Sequence, residues 1–92
     1  MTNYVAGRRA EYRTMRVLEA AGYVCTRSAS SKGMWDVVGV SAADIVLCQV
    51  KRGARPSPSS YAEFAELRVP ANVRKLVHWW PNRQSLPDVR EL

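Results

Sequence analysis

The chain has 92 residues, 14 Lys and Arg against 8 Asp and Glu, a net charge of +6 and 47% hydrophobic residues. These numbers fit one domain spanning residues 1–92 and argue against disorder or a fibre. No apolar run approaches the roughly 18 residues of a membrane span and no signal-peptide core is present, so a cytoplasmic protein without a membrane partner is expected.

The basic excess is clustered, with Arg8, Arg9, Arg13, Arg16, Arg27 and Lys32 in the first third, then Lys51, Arg52 and Arg55. Such a domain reads as a binder of polyanions, nucleic-acid phosphates first among them. Cys25 and Cys48 are too few for a zinc site and read as reduced, buried thiols on neighbouring strands, a disulfide between them being left open.

In chain order, Arg8 to Ala21 predicts a helix stopped by Gly22, with an apolar stripe through Met15 and Leu18 and Glu11 at its edge. Gly22 to Arg27 predicts a strand. Ser28 to Gly33 follows as a hydroxyl-rich, cationic loop whose groups can reach phosphate oxygens. Trp35 to Lys51 then reads as a hairpin turning at Ser41 to Asp44. Arg52 to Ser60 is a Pro- and Ser-rich loop, Tyr61 to Leu67 a second helix, Arg74 to Trp80 a fourth strand and Val89 to Leu92 a last one. The single histidine, His78, reads as structural. Trp79 and Trp80 point to opposite faces, one for the core and one for a covered, dimeric or stacking role.

The hairpin carries the chemistry. Side chains alternate along strands, so Asp36 shares a face with Gln49 and Lys51. One carboxylate and one amide oxygen are hard ligands for a divalent cation, the Val50 carbonyl can add a third, and Lys51 supplies a point charge beside a phosphate. Glu11 has two readings, a solvated helical residue or salt-bridge partner of Arg8 or Arg16, and an additional metal or water ligand turned toward Asp36.

The stretches GRRAE, YVCTRSASSKG, WD and LCQVK together resemble the archaeal-type Holliday junction resolvases, within the PD-(D/E)XK nuclease superfamily. The resemblance covers about residues 7 to 52. It implies an α/β fold with a restriction-endonuclease-like mixed central sheet flanked by helices, in the order αβββαββ. It further implies a homodimer that cuts both strands of a four-way DNA junction using Mg2+, with Mn2+ as a substitute. By position it implies Glu11 at the active site, Arg27 on a DNA phosphate, Ser30 or Ser31 as a catalytic hydroxyl, Asp36 as metal ligand and Lys51 as catalytic lysine. Arg8, Arg9, Arg13, Ser28, Lys32, Arg52 and Arg55 complete the expected DNA contacts.

The sequence departs from that pattern in carrying Gln49 for the second acid, Tyr12 where arginine is frequent and Trp35 before the aspartate. Gln49 removes one negative charge, which predicts weaker metal binding. Three functions follow: a junction nuclease, a nuclease on linear, nicked or flapped DNA, and a DNA-binding relative that has lost the chemistry. The absence of a target-recognition insert favours substrate structure over base sequence.

Overall fold

A computed structural model describes residues 3–28 and 33–92 of the chain. Helix α1 runs Asn3–Ala20, followed by strands β1 (Val24–Arg27), β2 (Val37–Val40) and β3 (Ile45–Arg52). A 3-10 turn at Pro58–Tyr61 leads into the short helix α2 (Ala62–Glu66), then β4 (Val73–Trp80) and β5 (Asp88–Glu91). Helix α1 begins five residues before the expected Arg8, because Gly7 does not interrupt it. A helical glycine costs only about 1 kcal/mol relative to alanine, and there is open space around Gly7. The stop comes where expected. Gly22 adopts φ 99°, its N–H donates to the Glu19 carbonyl at 3.0 Å and the Tyr23 N–H to the Leu18 carbonyl at 3.1 Å. That pair of bonds is a Schellman ending, and it aims the chain directly into β1.

The five strands form one mixed sheet in the order β1-β2-β3-β4-β5. All neighbours are antiparallel except β3 and β4. A parallel pair needs a crossover, and the Pro- and Ser-rich loop with α2 provides it. Alternation along the strands sends side chains to two cores. Val37, Val46, Cys48 and Leu76 pack with Leu18 of α1 on one face. Val77 packs with Tyr61 and Phe64 on the other, where Leu47 and Trp35 join them. The two helices therefore cover opposite faces, and β4 is buried on both over Lys75 to His78.

Two polar devices tie the layers together. The Lys75 ammonium donates to the carbonyls of Phe64, Ala65 and Leu67 at 3.1, 2.6 and 2.7 Å, capping the C-terminal end of α2, where the Phe64 carbonyl also accepts the Leu67 N–H. Under α1, Thr14 is wholly buried. Its hydroxyl oxygen accepts the Trp80 indole N–H at 2.8 Å and lies 3.1 Å from His78 Nδ1. The oxygen can accept from Trp80 and still either donate to Nδ1 or accept from it, so this one hydroxyl joins both rings of β4 to α1.

Cys25 and Cys48 are free thiols. They lie on β1 and β3, separated by β2 rather than on adjacent strands as expected, and burial pushes both thiols up. Trp80, Tyr61 and Phe64 are core residues, so of the two adjacent tryptophans it is Trp80 that takes the core role. Among the described residues no helix is long and apolar enough to cross a membrane.

Candidate active site

Asp36 precedes β2 at the point where the ladder to β3 changes step. Val37 pairs with Cys48, yet the Asp36 N–H donates to the Cys48 carbonyl at 2.9 Å. The Asp36 carboxylate fills the resulting gap, with Oδ2 accepting the Val50 N–H at 2.8 Å. Its side chain thus takes the place of a backbone acceptor and is fixed at the C-terminal end of β3, the end that carries Gln49 and Lys51. Burial pushes the Asp36 carboxyl above its ordinary range, while the Val50 N–H and the Lys51 charge pull it back.

Glu11 comes to this end of the sheet from α1. One of its oxygens accepts from the Arg27 guanidinium at 3.1 Å, both side chains being about one-fifth exposed. Burial raises the Glu11 carboxyl, the Arg27 bond lowers it and the charge on Asp36 raises it again. The two carboxylates are therefore electrostatic neighbours, as are Asp36 and Lys51. Arg27 also lies over the Tyr12 ring at 5.2 Å, so Tyr12 and Glu11 together hold the guanidinium that ends β1.

Gln49 lies on the α2 side of β3. Its Oε1 is buried and has no hydrogen-bond partner among the described residues. An unmatched buried carbonyl costs roughly 1–3 kcal/mol, so its retention calls for a physical reason. The side chain lines a polar hollow of about 330 Å³ with Ser59, Ser60 and Glu63. Glu63 is a carboxylate that reading the sequence did not place here, since only the return of the chain over β3 brings α2 to Gln49. Among the described residues no three His, Cys, Asp or Glu side chains come together. The oxygen donors at this end of the sheet are the Asp36 carboxylate, the Gln49 amide and backbone carbonyls such as that of Val50, with Glu63 sharing the hollow with Gln49 and Glu11 engaged by Arg27.

The expected DNA contacts divide into groups. Arg9, Arg13 and Arg52 line one hollow of about 360 Å³ on the α1 side, together with Arg83. Arg83 was not anticipated, and it follows β4 with φ 64°, a left-handed conformation that costs a non-glycine residue of order 1 kcal/mol. Arg13 is held firmly, donating to the Gln84 carbonyl at 2.7 Å and stacking on Trp80 at 4.1 Å. Arg8 is exposed on α1. Arg55 lies apart, over Trp79. The Ser28 N–H donates to the Asp36 carbonyl at 2.8 Å, which anchors the end of its loop to the site. Ser30, Ser31 and Lys32 lie outside the described residues.

Taken together, the structure gathers Asp36, Gln49, Val50 and Lys51 at one end of β3, sets Glu11 within electrostatic reach, and flanks them with guanidinium groups. No protein-family model matches the chain, and no curated protein matches it in sequence.

Proposed function

We propose that the chain is a metal-dependent DNA endonuclease with a restriction-endonuclease-like fold, acting on branched DNA and on the four-way junction in particular. The observation that carries this reading is the Asp36 carboxylate, held by the Val50 N–H and within electrostatic reach of Lys51; the unmatched buried oxygen of Gln49, two residues before Lys51 on β3, supports it. Oxygen donors without sulfur or imidazole suit Mg2+ or Mn2+, and an unmatched buried oxygen is what a hard cation would satisfy. Asp36, Gln49 and the Val50 carbonyl would hold such an ion, with Glu11 joining if it parts from Arg27. When bound, the ion would lower the pKa of a coordinated water and offset charge on the scissile phosphate.

The side chains supply the rest. Lys51 sets a positive charge beside Asp36, where negative charge develops as a phosphodiester is attacked. Arg27 keeps Glu11 oriented. Arg9, Arg13, Arg52 and Arg83 form a cationic hollow suited to the phosphates of one strand. The succession of one helix, three strands, a crossover helix and two strands supports the fold assignment. Among the described residues the connections carry no inserted helix or strand beyond the crossover to read base edges, which supports recognition by shape. A symmetric dimer would present two such sites to a junction. Val24 and Val40, cross-strand partners that are 77% and 48% exposed, offer it an apolar surface at the sheet edge.

The test is cleavage of a labelled immobile four-way junction against linear duplex of the same sequence, with Mg2+, Mn2+ or chelator. Paired, symmetric, metal-dependent cuts on the junction, lost in Asp36→Asn and Lys51→Ala, are expected. Cuts on every substrate would replace the junction reading with a general nuclease, and cleavage persisting in both variants would remove the site assignment. A second reading, a DNA-binding relative without chemistry, is favoured by the Glu11–Arg27 ion pair, which occupies a carboxylate the metal would use. Junction binding with no cutting at any metal concentration would select it.

A further inference from the structure

Beside the candidate site lies a hollow of about 290 Å³ that the hydrolytic reading leaves unused. Its centre is Trp79, which the β3–β4 register sets next to Lys51, so both side chains project on the α2 face of the sheet. The Trp79 indole N–H donates to the Gly53 carbonyl at 2.9 Å, which fixes the plane of the ring. Pro58, Tyr61 and Val77 form apolar walls around it, and Arg55 and Arg90 stand at the rim. The Arg55 guanidinium lies 5.6 Å from the ring centroid.

Charge decides what such a space can take. Asp88, paired with Trp79 across β4 and β5, also lines it and is exposed, and its carboxylate beside the ring opposes a phosphate there. The exposed guanidinium groups at the rim favour one. An uncharged flat ring inside, with anionic groups outside, matches both. We propose that this hollow receives one unpaired nucleobase of a DNA strand, stacked on Trp79, with the flanking phosphates on Arg55 and Arg90. The proposal rests on the nuclease reading for its partner. It gives the site next to Lys51 a preference for strands with an unstacked nucleotide, as at a junction, bulge or flap.

The experiment is equilibrium binding in chelator of a labelled duplex carrying a single-nucleotide bulge, against the same duplex with an abasic bulge. Base stacking on an aromatic side chain is worth enough to favour the base roughly five- to a hundred-fold. That preference should vanish in Trp79→Ala, persist in Trp79→Phe, and leave affinity for fully paired duplex unchanged in both. If Trp79→Ala does not fold, Trp79→Leu, which keeps apolar bulk without an aromatic face, should remove the preference equally. Equal affinity for base and abasic bulges in the wild type, or a preference that survives these changes, overturns the proposal. Quenching of tryptophan fluorescence by adenosine monophosphate separates it from the nuclease reading. Saturable quenching that depends on Trp79 without any DNA binding would uphold the hollow and overturn the nuclease, whereas neither signal would overturn both.

Discussion

The Asp36 carboxylate accepts the Val50 N–H at 2.8 Å, so a side chain stands in for a backbone acceptor where the β2–β3 ladder changes step. One oxygen is committed to structure and the other remains for a ligand. Asparagine can keep the first role, because its amide oxygen also accepts the N–H, but it cannot supply the charge. Asp36→Asn is therefore expected to melt at or slightly above the wild-type temperature in chelator, since it removes a charge that burial disfavours. Adding Mg2+ should raise the wild-type midpoint, by about 2.7 kcal/mol of stability at a hundredfold excess over Kd, and leave the variant unmoved. Thermal melts with and without Mg2+ check this, and an equal shift in both proteins would remove Asp36 from the metal site.

The pH dependence follows from the same burial. The carboxyls of Asp36 and Glu11 are both raised, so the folded chain holds protons at a pH where the unfolded chain has released them. Stability from these groups is present at low pH and declines as pH rises through their folded values. Metal binding runs oppositely, because the ion competes with those protons. Mg2+-dependent stabilisation should thus appear only above the ordinary carboxylate range and rise with pH until both acids are ionised. A titration of the Mg2+-induced shift from pH 4 to pH 8 checks this, about pH 4 being the usual carboxylate value. A flat profile would mean that neither acid is a ligand.

Much of this arrangement was legible in the sequence, for reasons that can be assigned. Gly22 announced the end of α1 because only glycine adopts φ 99° there without strain. The β-branched run of β3 announced a buried strand, and Asp36, Gln49 and Lys51 stood out as polar residues on strands that alternation required to be apolar. What stayed hidden depended on partners distant in sequence. Thr14 looked like an ordinary helical position, yet it lies between Ala10 and Leu18 on the buried stripe and serves two side chains of β4. Lys75 looked like a surface charge until α2 folded back and offered three carbonyls. Glu63 and Arg83 likewise join their hollows only through the crossover and the turn after β4.

The arginine hollow gives a prediction in salt. Arg83 keeps a left-handed backbone, φ 64°, that glycine would hold without strain, so Arg83→Gly is expected to be neutral or to stabilise by up to about 1 kcal/mol. The same change removes one guanidinium from a group of four. Measured as log affinity for duplex DNA against log salt, the slope should shrink by about 0.9 for the lost phosphate contact. A stable variant with an unchanged slope would show that this hollow does not meet the DNA backbone.

The Thr14–His78 pair gives the sharpest stability prediction, because His78 is 1% exposed and burial pushes its imidazole down to about 4 from 6.5. The folded state therefore keeps His78 neutral while the unfolded chain takes up a proton. Its contribution is complete above about pH 6.5, falls as pH drops toward 4, and is constant below that. The separation of those two values corresponds to a loss of about 3 kcal/mol across the window. His78→Leu should flatten that part of the curve, and the difference between the two proteins isolates the imidazole from the opposing slope of Asp36 and Glu11. Thr14→Val tests the network rather than the charge: it leaves the Trp80 N–H and His78 Nδ1 buried without their partner, at a cost of roughly 2–3 kcal/mol, at pH 7 as well as at pH 5. Denaturant melts at those two values check both variants. If His78→Leu kept the wild-type slope, the acid sensitivity would have to lie in groups other than this histidine.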